Sequence, residues 1–98
     1  MQITKTVDAG TLNIALDGRL DTMTAPELEA AVKDELANVN AAVFDLTGLE
    51  YVSSAGLRVI LSVHKALAGK GGLTIKNPNE TVTEVFEVTG FSDILNIE

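Results

Sequence analysis

Cysteine and tryptophan are absent from these 98 residues, and histidine and tyrosine occur once each. Without a thiol the chain forms no disulfide, iron–sulfur cluster or thiolate zinc site, a composition that suits a reducing compartment. The single histidine, His64, has no companion ligands at metal-binding spacing, so a structural role on a helix is expected of it. Aromatic residues make up 4% of the chain, so aliphatic side chains must supply most of the buried area, at about 25 cal/mol per Å². Basic residues are also scarce: 7 Lys and Arg stand against 14 Asp and Glu, a net charge of −7. Such a chain repels nucleic-acid backbones and anionic membrane surfaces. No apolar run approaches the ~18 residues that span a bilayer. The start, Met1 to Lys5, lacks the basic and apolar segments of a secretory signal. These absences lead to the expectation of a cytoplasmic protein that engages neither nucleic acid nor membrane.

What is present is an ordinary core composition, 46% hydrophobic, in a length that suits one domain over residues 1–98. Ile3, Lys5 and Val7 alternate with Gln2, Thr4 and Thr6, and Leu12, Ile14 and Leu16 alternate after the turn signal Ala9-Gly10. Two strands in a hairpin follow from that pattern. Thr24 and Glu27 have capping-box spacing around Pro26. They open a helix whose stripe is Leu28, Ala31, Val32, Leu36 and Val39. Ala41–Leu46 is a nearly continuous apolar run, which predicts a strand buried on both faces, with a loop over Thr47–Ser53. A second helix is predicted from Ala55 to Ala68, with Leu57, Ile60, Leu61, His64 and Leu67 on one face, stopped by Gly69, Gly71 and Gly72. Leu73–Lys76 reads as a strand. After the Asn77-Pro78 turn comes a third helix with Val82, Val85 and Phe86 inward, ended by Gly90. Ile94–Ile97 is a last strand. The order ββαβαβαβ places the chain in the α/β class, with mainly parallel neighbours and right-handed crossovers.

The most informative stretch is Asp45–Leu61, where a strand ending in Asp-Leu is followed by Ser53-Ser54-Ala55-Gly56-Leu57 at a helix start. It resembles the signature of the STAS family, specifically the anti-sigma factor antagonists of bacterial partner-switching systems. Gly18-Arg19-Leu20-Asp21 before the Thr24–Pro26 helix start is similar to the family's second strand and loop. Val82–Gly90 with Phe91 resembles a further family segment. A C-terminal helix common in the family has no counterpart before Glu98. The resemblance implies a single STAS domain with a mixed four- or five-stranded sheet and helices packed mainly on one face. The residues offer no Ser–His–Asp, paired-carboxylate or nucleotide-binding arrangement, so neither catalysis nor a cofactor is expected. The resemblance further implies that a serine kinase/anti-sigma factor of the GHKL type phosphorylates Ser54, two positions before Gly56, and that a serine phosphatase reverses this. The residue before the phosphoserine is often Asp in the family. Here it is Ser53, which stands as a second candidate acceptor. The implied docking surface comprises Asp21, Thr22, Met23 and Thr24 together with Ser53, Ser54, Ala55, Gly56 and Arg58.

Simpler roles exist for several of these residues. Ser54 at a helix start suits an ordinary N-cap, a role compatible with modification. Asp21 suits a turn-forming side chain. Asp45 ends a strand as a receiver-domain aspartate does, but Gln2–Gly10 offers only Asp8 where receivers carry an acidic pair, so ordering of the following loop is the expected role. Gly69-Lys70-Gly71-Gly72 follows a helix and lacks the Lys-Ser/Thr ending of a phosphate loop. Two other function classes are consistent with the sequence: a STAS adaptor subunit of a transport or other signalling complex that works without serine phosphorylation, and a partner switch that controls a phosphatase or another signalling output instead of a sigma factor.

Overall fold

A computed structural model describes every residue from Met1 to Glu98. Strands β1 (Gln2–Asp8) and β2 (Thr11–Leu20) precede helix α1 (Ala25–Lys33), strand β3 (Ala41–Val52), helix α2 (Ser54–Leu67) and strand β4 (Gly72–Lys76). Helix α3 (Glu80–Val88), a 3₁₀ turn at Phe91–Asp93 and strand β5 (Asn96–Ile97) complete the chain. The five strands form one sheet in sequence order, with β1 antiparallel to β2 and all later neighbours parallel. The β1–β2 turn uses two successive positive φ angles, 51° at Ala9 and 79° at Gly10. That geometry matches the right-handed twist of the strands it joins.

The sheet is covered on one face. Rows such as Lys5–Ile14–Phe44–Ile75 and Val7–Leu12–Ala42–Leu73 point to one side by register, and on the three central strands these residues are buried. Leu28 and Val32 of α1, Ile60, Val63 and Leu67 of α2, and Val82 and Phe86 of α3 are buried with them in a single cluster. Asn13, Ala15, Val43, Asp45 and Thr74 occupy the opposite face, and all are only half-buried. The expectation that Ala41–Leu46 is buried on both faces is therefore corrected. Ala41 and Val43 are apolar enough to read as core while facing outward, and a period of two separates them from Ala42, Phe44 and Leu46.

Other elements differ in extent. The segment expected as a loop over Thr47–Ser53 continues β3 to Val52, because its backbone pairs with Asp17–Leu20 of β2, with one register shift before Asp17 and another between Gly18 and Arg19. Helix α1 ends at Lys33 rather than near Val39. The N–H groups of Glu35 and Asn38 bond carbonyls three residues back, at Val32 and Glu35, so the chain tightens out of the α-helix there. Val39 is still buried, from outside the helix. In α2 the core position expected for His64 belongs to Val63, and His64 is half-buried. The last strand is shorter than expected, because the N–H groups of Ile94 and Leu95 bond the Phe91 carbonyl at the end of the 3₁₀ turn, and only Asn96 and Ile97 pair with β4.

Candidate functional site

Parallel strands deliver their carboxyl ends to one edge of the sheet, and the loops and helix starts beyond that edge are the usual place for binding in α/β folds. Here β2 leads into the Asp21–Thr24 loop and β3 into the start of α2. The two are joined directly, since the Ser53 N–H donates to the Leu20 carbonyl at 2.8 Å.

Ser53 is the N-cap of α2. Its backbone is extended (φ −98°, ψ 174°), and its hydroxyl oxygen accepts from the Gly56 N–H at 3.4 Å. The capping role considered for Ser54 thus falls to Ser53. Ser54 becomes the first helical residue and is exposed, while Ser53 and Ala55 are half-buried. Gly56 is buried rather than presented at the surface. A Cβ there would lie 2.6 Å from Leu20 Cγ and 3.0 Å from Val52 Cγ2, both belonging to buried side chains. Glycine lets the first turn of α2 close down on the ends of β2 and β3, and this close approach fixes where Ser54 sits.

The capping box expected at Thr24 and Glu27 does not form. Thr24 has no side-chain cap bond to the helix, and its hydroxyl lies 2.7 Å from the Arg19 carbonyl. Asp21 organises the loop in its place. Its Oδ1 accepts from the N–H groups of Met23 (3.0 Å) and Thr24 (3.1 Å), and its carbonyl accepts from Ala25 N–H at 2.8 Å. Asp21 does fill the turn-forming role considered for it. The loop leaves Thr22 exposed and Met23 82% exposed, an unusually open large apolar side chain.

Between α1 and α2 lies a shallow groove of about 310 Å³, flanked by Thr22, Pro26 and Glu29 on one side and Ala55, Arg58 and Ser62 on the other. Arg58 is exposed and follows Ser54 by one turn, on the same face of the helix. The other arginine of this edge, Arg19, stacks over the Tyr51 ring at 4.7 Å from its centroid and so braces the paired ends of β2 and β3. Sequence reading missed Pro26, Glu29 and Ser62. The spacing Ser54, Arg58, Ser62 at successive fours was the available signal, because such positions align on one helix face.

Two carboxyls ionise below the usual aspartate range. In Asp21 the N–H of Thr24 contributes most, reinforced by Met23, the Thr24 hydroxyl and the charge of Arg19. In Asp45 the Thr47 hydroxyl leads (2.6 Å), followed by the Thr47 N–H (3.0 Å) and the Asn77 amide (3.2 Å). Asp45 thereby ties the end of β4 to β3 from the open face, and it does order the chain that follows it. Because both groups hold a proton less readily folded than unfolded, the unfolded chain takes up more protons in acid. Their contribution is complete above the ordinary aspartate pKa of about 3.9 and is lost as the pH falls through the lower folded-state values. Urea midpoints measured against pH should therefore fall below about pH 4, and Asp45→Asn should flatten that decline. An identical acid limb in the variant would contradict the assignment.

A model of the STAS domain matches residues 2–98. BtrV of Bordetella bronchiseptica is 36% identical over 99 residues, covering 99% of this chain and 85% of that one. The anti-sigma-B factor antagonist of Listeria monocytogenes is 31% identical over 95 residues, covering 93% of this chain and 82% of the other. Among solved structures, the anti-sigma factor antagonist SpoIIAA in its unphosphorylated form superimposes with a TM-score of 0.85 at 23% identity, over 99% of this chain and 88% of that one. The phosphorylated form of SpoIIAA from Bacillus gives 0.77 at 22% identity, over 99% and 91%.

Proposed function

The chain belongs to the STAS domain family, and we propose that it acts there as an anti-sigma factor antagonist whose docking is switched off by phosphorylation of Ser54. Unmodified, it docks through the start of α2 and the Asp21–Thr24 loop onto a serine kinase/anti-sigma factor of the GHKL type, releasing the sigma factor. The kinase then transfers phosphate from its own ATP to Ser54, and a serine phosphatase resets the chain. Catalysis and nucleotide belong to the partners, and the switch operates in the cytoplasm.

The observation that carries this reading is the division of labour between adjacent serines. Ser53 is committed to capping α2, so Ser54 stands exposed at the helix start. A phosphate there meets the free N–H groups and positive end of the helix dipole, so modification leaves the fold intact and acts on docking. The relatives named as antagonists support the class of partner, and the fold relative SpoIIAA exists in both phosphorylated and unphosphorylated forms.

The test is mass spectrometry of the chain after incubation with its cognate kinase and ATP. One phosphate is expected, on Ser54, and none on Ser54→Ala. Kinase-dependent phosphate on Ser53 in that variant would move the site by one residue. Binding of an ATPase with no phosphate transfer at all would favour the adaptor reading.

A further inference from the structure

The net charge is unevenly spread along the chain. From Asn77 to Glu98 there are five carboxylate side chains and no lysine, arginine or histidine, so this last segment holds most of the excess negative charge. Glu80, Glu84 and Glu87 of α3 are all exposed. Their spacing of four and three places them in one stripe along the helix. Beside that stripe is a groove of about 250 Å³ lined by Thr81, Glu84, Val85, Val88 and Thr89. Val82 and Phe86 hold the helix on the sheet, whereas Val88 is 86% exposed, the most open large apolar residue of the molecule. Core packing does not account for Val88, and neither does the Ser54 surface, which is built from the loop after β2 and the first turns of α1 and α2.

We propose that the outer face of α3 is a second docking surface, for a basic amphipathic helix or segment of a partner protein. An apolar side chain of the partner sits against Val85 and Val88 while its lysines or arginines oppose Glu80, Glu84 and Glu87. Charge selects this occupant. A second copy meeting it face to face would bring the same glutamates and no cation, and an anionic membrane would be repelled. The groove is small, which suits a transient contact steered by charge.

The test uses the full chain, ¹⁵N-labelled, titrated at physiological ionic strength with an amphipathic helical peptide of leucine and lysine. Amide shifts are expected along Thr81–Thr89. Val88→Asp should weaken the peptide roughly tenfold although it adds negative charge, because the apolar contact is lost. Val88→Leu should retain binding, and Glu84→Gln should reduce it with a shallower salt dependence. An unchanged spectrum away from residue 88 establishes that Val88→Asp folds. Three outcomes would overturn the proposal. One is no binding; another is shifts scattered over all the acidic residues with Val88→Asp binding as well or better. The third is concentration-dependent shifts at Val88 without peptide, which would assign the face to self-association. None of these readouts involves Ser54, so the result is independent of the phosphorylation reading.

Discussion

Ser54→Asp should weaken binding to the kinase-type anti-sigma factor by roughly 10²-fold or more, whereas Ser54→Ala should bind about as well as the unaltered chain. The magnitude follows from what a charge does in an interface. Phosphoserine adds about −1.5 to −2 charges, and leaving such a charge buried without a partner costs several kcal/mol. About 2.8 kcal/mol is already a hundredfold. Asp carries one negative charge rather than two, so it should fall short of the phosphate while acting in the same direction. The fold should not suffer. An acidic residue in the first turn of α2 interacts favourably with the helix dipole, by about 0.3–1 kcal/mol, and the native first turn has no acidic residue. Calorimetric titration of the three proteins into the partner, beside their melting curves, separates the two effects. Equal affinity of Ser54→Asp and the unaltered chain would remove the switch. A large drop in its melting temperature would mean that the binding loss reports unfolding.

Phe44→Ala is expected to be the most damaging core substitution. Phe44 is completely buried in the middle strand of the sheet, flanked in register by Ile14 of β2 and Ile75 of β4. Truncating a buried phenylalanine costs about 3–5 kcal/mol, from lost transfer energy and the cavity left behind. Domains of this kind have only about 5–15 kcal/mol in total. A fall in melting temperature on the order of 20 °C follows. The informative control is Val43→Ala, one residue away. Val43 faces the uncovered side of the sheet and is half-buried, so its truncation should stay within about 1 kcal/mol. Comparable losses at the two positions, by urea unfolding, would mean that the second face of the sheet is covered in solution.

The amino-acid sequence by itself determined the element order, the α/β class and the neighbourhood of the functional edge. Periodicity reports which residues share a face, and the Leu12-Ile14-Leu16 and Leu57-Ile60 patterns carry that information locally. The Ser53–Leu57 motif and the Gly18–Asp21 segment also marked the two places that the fold brings together. Tertiary structure alone decided matters of partnership. Whether Thr47–Val52 is loop or strand depends on Asp17–Leu20 being alongside, and no local pattern encodes that. Ala41 and Val43 look like core in composition, but only the placement of every helix on one face leaves them outside it. At the helix starts, serine, threonine and aspartate compete for the same N–H groups at nearly equal intrinsic preference. The Ser53 N–H bond to Leu20 and the packing of Gly56 against Leu20 decide that competition. They make Ser53 the cap and leave the neighbouring hydroxyl free.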